Sequence, residues 1–279
     1  MRSSSPTWQL WLGIALLLAA FAMVGIVLIT GSWPVIAADG LLSFVASASW
    51  HPTKGSYGVL AMMASTAAVA LGALILAIPF AVASALFCHF YASERLADGV
   101  RNLLVILAGT PSVVFGLWGL STIVPAIASL QPPGASMLAG ILVLAIMIMP
   151  TIAIVVEVGL RGLGEQLYAG GLAISLPRGR VISRIVIPAI RGSIMAGAVL
   201  GLARAVGETM AVLMVTGNVV QLPDSLFASV RTLPANIALE LPYAMDLHRS
   251  ALFASGLVMM SMVSLLFLLY AWLQPGRRW

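Results

Sequence analysis

The chain has 279 residues, 61% of them hydrophobic and only 8% charged, with a formal net charge of +5 at neutral pH. A soluble domain carries about 25% charged residues, so a water-soluble globular protein is excluded, and the basic residues form no soluble patch of the kind that binds nucleic acid. The stretches Ser3–Ala38, Gly55–Ser93, Asn102–Val156 and Ser250–Gly276 hold no formal charge. Each exceeds the roughly 20 apolar residues that span a bilayer, and none alternates as β-barrel strands do. An all-α polytopic membrane protein is therefore expected.

In chain order, the first span is read at 8–30, after Arg2, as an uncleaved anchor longer than the apolar core of a signal peptide. The small residues Ala37-Ala38 leave cleavage open. An outer loop over 31–57 carries Trp33-Pro34 and Trp50-His51-Pro52, aromatic residues suited to a membrane boundary. Span 2 covers 58–90 with Pro79 as a kink, and 91–101 forms an inner loop. Span 3 is placed at 102–130 and span 4 at 137–158, separated by the breaker Gln131-Pro-Pro-Gly134. A second inner loop occupies 159–191. Span 5 covers 194–216, an outer loop follows to Arg249, and span 6 covers 250–273.

Lys and Arg set the orientation. Arg2, Arg95, Arg101, Arg161, Arg178, Arg180, Arg184, Arg191, Arg277 and Arg278 fall on one side; Lys54, Arg231 and Arg249 fall on the other. This bias places both termini inside. No composition shift marks a second folded domain, so residues 1–279 read as one membrane domain.

Span 5 holds Gly201-Leu-Ala-Arg-Ala-Val-Gly-Glu-Thr-Met210, with Arg204 and Glu208 inside apolar sequence. In a continuous helix their i,i+4 spacing puts both on one face. Arg before Glu is the weaker order for a helical ion pair. Intramembrane ionisable groups mark a pathway or coupling element by default; a buried pair that only fixes packing is the alternative. In span 3, Thr110-Pro111-Ser112 fits either a half-helix start, offering N–H groups and hydroxyls to an anion, or an ordinary proline kink. In the loop 159–191, a short amphipathic helix ending near Pro177 and Gly179 precedes Ile185-Val-Ile-Pro188. It suits a groove on a soluble partner or, equally, a resting place on lipid head groups. Gly197 and Gly201 form a GxxxG pair that lets another helix approach.

The single cysteine, Cys88, excludes an intramolecular disulfide. His51, His89 and His248 are far apart, and no metal motif or cofactor site is read. No predicted span contains an aspartate, which argues against an intramembrane enzyme. No GxxxxGK[ST] motif occurs, so ATP dependence must come from another chain. A channel or secondary transporter is the remaining contrast.

These motifs resemble the C-type permease subunits of phosphate-specific ABC importers. The resemblance rests on Arg204 with Gly207–Val212, on Ala108–Leu120, on Trp50–Gly58, on Leu138–Thr151 with Met149-Pro150-Thr151, and on the inner loop, and it covers roughly residues 40 to 270. It implies an ABC-importer permease fold of about six transmembrane helices, a non-catalytic subunit of the bacterial inner membrane. The implied partners are an A-type second permease subunit, two ATPase subunits and an extracytoplasmic phosphate-binding protein, with inorganic phosphate as substrate. Molybdate or sulfate is the alternative cargo. The implied pathway residues are Arg204, Glu208, Thr209, Thr110 and Ser112, with Glu208 holding the Arg204 guanidinium when no anion is present. The implied ATPase-coupling residues are Ala169, Gly170, Gly171, Ser175, Leu176, Arg178 and Pro188. In the loop this chain departs from the family's Glu-Ala-Ala signature. Counting back from Pro188, that signature falls on Ala169-Gly170-Gly171 and its glycine on Ser175, while Glu165 stands one turn earlier.

Overall fold

A computed structural model describes residues 7–273. Arg2, Arg277 and Arg278, which weigh in the orientation argument, lie outside the described residues, as does the side chain of Glu165. The chain is built almost entirely of helices. Four are long and apolar enough to cross a membrane: α1 (Thr7–Asp39), α3 (Leu60–Phe90), α7 (Met137–Arg161) and α14 (Asp246–Leu273). Two further spans are bent pairs, bringing the total to as many as six. One joins α4 (Glu94–Gly109) to α5 (Ser112–Trp118), which runs through a π-turn at Gly119–Ile123 into α6 (Val124–Ala128), with a 95° bend. The other joins the helical segment Arg178–Ala189 to α11 (Arg191–Val206), with a 66° bend, and α12 (Met210–Val215) follows after a short break.

The centre of the bundle is α3 packed along α7, with α11 against both and α12 against α7. Ala70, Ala73, Ala77, Ala81 and Ala85 form a buried small-residue stripe on α3. Association within a membrane depends on such close approach, because lipid tails are as apolar as the helices themselves. The GxxxG pair has the same effect on α11. A Cβ on Gly197 would lie 3.2 Å from the Ile152 carbonyl oxygen, and one on Gly201 2.9 Å from Ile152 Cδ1, so a side chain at either position would push on Ile152 where α11 lies against α7. Helices α1 and α14 pair at the periphery and leave most of their surface facing outward.

Four boundaries differ from the sequence reading. The first helix does not stop at Thr30 but runs through Trp33-Pro34 to Asp39, because Pro34 follows a long apolar run and removes only one N–H. The supposed outer loop then shrinks to α2 (Leu41–Ala46) and a hairpin pairing Trp50 with Tyr57. The second outer loop contains α13 (Leu233–Glu240), and its 226–230 stretch is stitched to neighbouring helix ends. Met137 and Leu138 donate their N–H groups to the carbonyls of Ala228 and Leu226, both at 2.8 Å, and Val230 donates to Thr216 at 2.9 Å. These bonds satisfy orphan donors at the start of α7. The fifth span is entered through Arg178–Ala189, part of the predicted inner loop.

Candidate functional site

Spans 3 and 5 are both interrupted, and the interruptions meet. In span 3, Pro111 biases Thr110 out of the helical region, and Thr110 is extended, with ψ 133. The structure thus takes the broken-helix alternative over the simple kink. Pro111 occupies the cap position and Ser112 is the first helical residue. The Thr110 hydroxyl donates back to the Ile106 carbonyl at 2.8 Å. This leaves the Ala108 carbonyl, at the end of α4, for a partner from elsewhere.

That partner is Arg204. Its guanidinium donates to the Ala108 carbonyl at 3.3 and 3.4 Å and to Thr151 Oγ1, on α7, at 3.1 Å. Thr151 is ten residues from the Arg161 end of a 25-residue helix. At 1.5 Å per residue it lies roughly 15 Å in, near the depth of the bilayer centre. Arg204 is itself in the last turn of α11. Its charge therefore sits at the partly negative C-terminal ends of two helices, α4 and α11, where a cation is favoured.

The expected Arg204–Glu208 pair does not form. Helix α11 stops at Val206, so the two residues are not on one continuous helical face. The Glu208 carboxylate turns to the start of α12 and accepts the Ala211 N–H at 3.1 Å, a capping role. Thr209 bonds to the Gly207 carbonyl at 3.3 Å. Among the described residues, Arg204 has no carboxylate partner. The order Arg before Glu, awkward for one helix, suits two: a cation ends the first and an anion starts the second. That order was the signal in the sequence for a break. Of the five predicted pathway residues, Arg204, Glu208 and Thr209 flank one break and Thr110 and Ser112 the other. Thr151 was carried only as part of a motif and was not singled out.

The two broken spans pack through α5 and α12. A Cβ on Gly116 would lie 2.8 Å from Ala211 Cα and 2.9 Å from Met214 Sδ, so glycine sets that distance.

At the end of the bundle carrying the 159–191 segment, α8 (Glu165–Ala173) is followed by a turn and the helical run from Arg178. Ala169 and Gly170 are exposed, Gly171 is buried, Leu176 is half-buried, and Arg178 and Pro188 are exposed. A Cβ on Gly171 would lie 2.8 Å from Val181 Cγ1, so the segment folds back on itself there. Ser175 has φ 59, the left-handed region that favours glycine, at the position where the resembling family carries its glycine. The Tyr168 ring meets Phe90 at 4.7 Å and ties α8 to the end of α3.

Two charged clusters escaped the sequence reading. Glu157, 6% exposed, accepts from Arg101 Nε and from Arg161 Nη2, the latter at 3.0 Å, and Arg101 also pairs with Asp98 at 2.9 Å. At the opposite end, Glu240 takes Arg231 at 2.7 Å, His248 Nε2 at 2.8 Å and the Trp50 indole N–H at 2.8 Å. Arg231 also donates to the Asn218 carbonyl at 2.8 Å and to Asn236 Oδ1 at 3.0 Å. Nearby, burial pushes the Tyr57 hydroxyl pKa up, with the charges of Asp39 and Glu240 adding to it. Among the described residues, no group of His, Cys, Asp and Glu is arranged to hold a metal ion.

Residues 75–279 match the family model described as binding-protein-dependent transport system inner membrane component. A probable ABC transporter permease protein, YqgH of Bacillus subtilis, is 34% identical over 243 residues, 85% of this chain and 79% of the relative. A phosphate transport system permease protein, PstC of Mesorhizobium japonicum, is 34% identical over 266 residues, 88% of this chain and 81% of the relative. Among solved structures, a bacterial alginate ABC transporter in complex with its alginate-bound periplasmic protein has a chain that superposes with TM-score 0.63 at 15% identity, covering 97% of this chain and 96% of that one; this is a likeness of fold.

Proposed function

The chain belongs to the binding-protein-dependent transport system inner membrane components, and from that premise we propose that it is one permease half of an ATP-driven importer of inorganic phosphate. Residues 1–279 act as one permease domain with both termini in the cytoplasm. Its partners are an A-type permease subunit, two ATPase subunits that supply the hydrolysis this chain lacks, and an extracytoplasmic phosphate-binding protein. The 34% identity to a protein named as a phosphate transport permease supports the substrate.

One observation carries the residue-level reading: among the described residues Arg204, near mid-membrane where two broken spans meet, is held by neutral oxygens. A planar guanidinium matches phosphate oxygens two at a time. Because its present contacts are uncharged and partial, an arriving anion replaces them without first breaking an ion pair. Ser112, Thr209 and Glu208 line the same two breaks, and Glu208 acts by shaping α12. Ala169–Pro188 is the segment that docks on the ATPase, with Ser175 forming its turn and Arg178 and Pro188 on its exposed face. Closure of the ATPase pair then moves the bundles about the central path.

Phosphate uptake in cells lacking the chain, complemented with the unaltered protein or Arg204→Gln, tests this. The variant assembles but loses uptake by roughly a hundredfold, as expected when a charge-assisted contact to the anion is gone. Normal uptake by Arg204→Gln would remove the residue from the pathway. Competition by molybdate or sulfate stronger than by unlabelled phosphate would move the substrate to another oxyanion.

A further inference from the structure

The buried carboxylate at the end of α7 is not part of the site just described, yet it reaches it. Glu157 accepts from Arg161, one turn further along the same helix and only four residues before α8 begins at Glu165. It also accepts from Arg101, which lies on α4. Seven residues on from Arg101 in that same helix is Ala108, whose carbonyl holds Arg204. Helices α4 and α7 are thus pinned twice: at Arg101–Glu157, and about 10 Å further along, two helical turns, at Ala108–Arg204–Thr151. The intervals match on the two helices, seven residues on α4 and six on α7, as an antiparallel pair requires. The small-residue linker Gly162-Leu163-Gly164 leaves Arg161 as the last charged group on α7 before the docking segment.

We infer that Glu157 is a positioning residue that keys the inner end of α4 to α7, so that displacement of the 165–190 segment is passed along α4 to the Arg204 site. It touches no substrate. Its carboxylate is shared by two guanidiniums on different elements, and moving Arg161 with the docking segment changes how firmly Arg101 is held. Helix α4 is short and is broken after Gly109, so a shift at Arg101 arrives at the Ala108 carbonyl and loosens or tightens Arg204. This rests on the importer reading above.

The test uses the complete complex in proteoliposomes, with its ATPase subunits and loaded binding protein, and reads phosphate moved per ATP hydrolysed. In Glu157→Gln and Arg101→Gln this ratio falls roughly fivefold or more, within the span of coupling changes caused by residues remote from a ligand. In the double variant it falls no further than in either single variant and does not recover, because all three break the same link; recovery would mean that an unpaired charge, and not the lost link, caused the loss, and would overturn the inference. If Glu157→Gln does not assemble, Arg101→Lys reads the same ratio, since it keeps the charge but loses the planar fork. Uptake and hydrolysis that fall in proportion, or do not fall, overturn the inference while leaving the importer reading intact. An unaltered complex without phosphate-stimulated hydrolysis would instead overturn the importer reading.

Discussion

Two arginines hold α4 against its neighbours, and their surroundings are opposite in kind. Arg101, at the end of the bundle that carries the 159–191 segment, meets two carboxylates, one of them buried. Arg204, near mid-membrane, meets a carbonyl and a hydroxyl and no carboxylate. A buried ion pair once formed is costly to break from one side, because the remaining charge has no water to return to. Arg101 is therefore locked in place. A guanidinium steadied by two helix C-termini is tolerated where it is, but keeps its charge available. The sequence reading assigned Arg101 to topology and gave Arg204 a carboxylate partner in the absence of the anion; the structure reverses the pairing. The anchor is the arginine with the carboxylate, and the one proposed to meet the anion is the one without.

Attacking the locked end gives the largest loss. Glu157→Ala leaves Arg101 without its buried partner and destabilises by about 3–5 kcal/mol, read as a lowered unfolding midpoint in detergent; a shift no greater than that of Glu208→Ala would erase the distinction. Next comes the α5–α12 seam beside the open end. Gly116→Val drives a branched side chain into Ala211 and costs about 1–3 kcal/mol, with uptake falling as the two breaks separate. Thr151→Val removes one neutral acceptor from Arg204 and costs about 1 kcal/mol. It sharpens the contrast if the apparent KM for phosphate shifts while the protein's abundance does not. Asp98→Asn touches an exposed partner of Arg101, with 67% of its side chain accessible. It changes stability by less than about 0.5 kcal/mol; a larger effect would mean that the outer face of the Arg101 cluster anchors the helix no less than its buried face does.

Helix ends explain what was and was not legible in the sequence. The break in span 3 was one of the two readings of Thr110-Pro111, whereas span 5 was read as continuous over 194–216 and its break between Val206 and Met210 was not foreseen. The partners of Arg204 were not foreseen either. Ala108 and Thr151 reach Arg204 from 96 and 53 residues away, and carbonyls carry no sequence signature. Glu157 was hidden for another reason: it fell inside the predicted span 137–158 but was not singled out, because its partner Arg101 comes from a different helix, α4. Counting back from Pro188 placed the family's glycine on Ser175, and Ser175 has a left-handed backbone, with φ 59. At the opposite end, Glu240 gathers Trp50, Arg231 and His248 from three separated stretches, and sequence showed only charges in a loop.

By itself the sequence determined that this is an all-helical membrane protein with several long apolar spans, because apolar length, proline and glycine act on the backbone locally and water is absent to forgive an unsatisfied N–H. Only the tertiary structure decided which charge would be neutralised and which left open. That choice is made by what lies opposite each side chain, and in a bundle the opposite wall comes from another span.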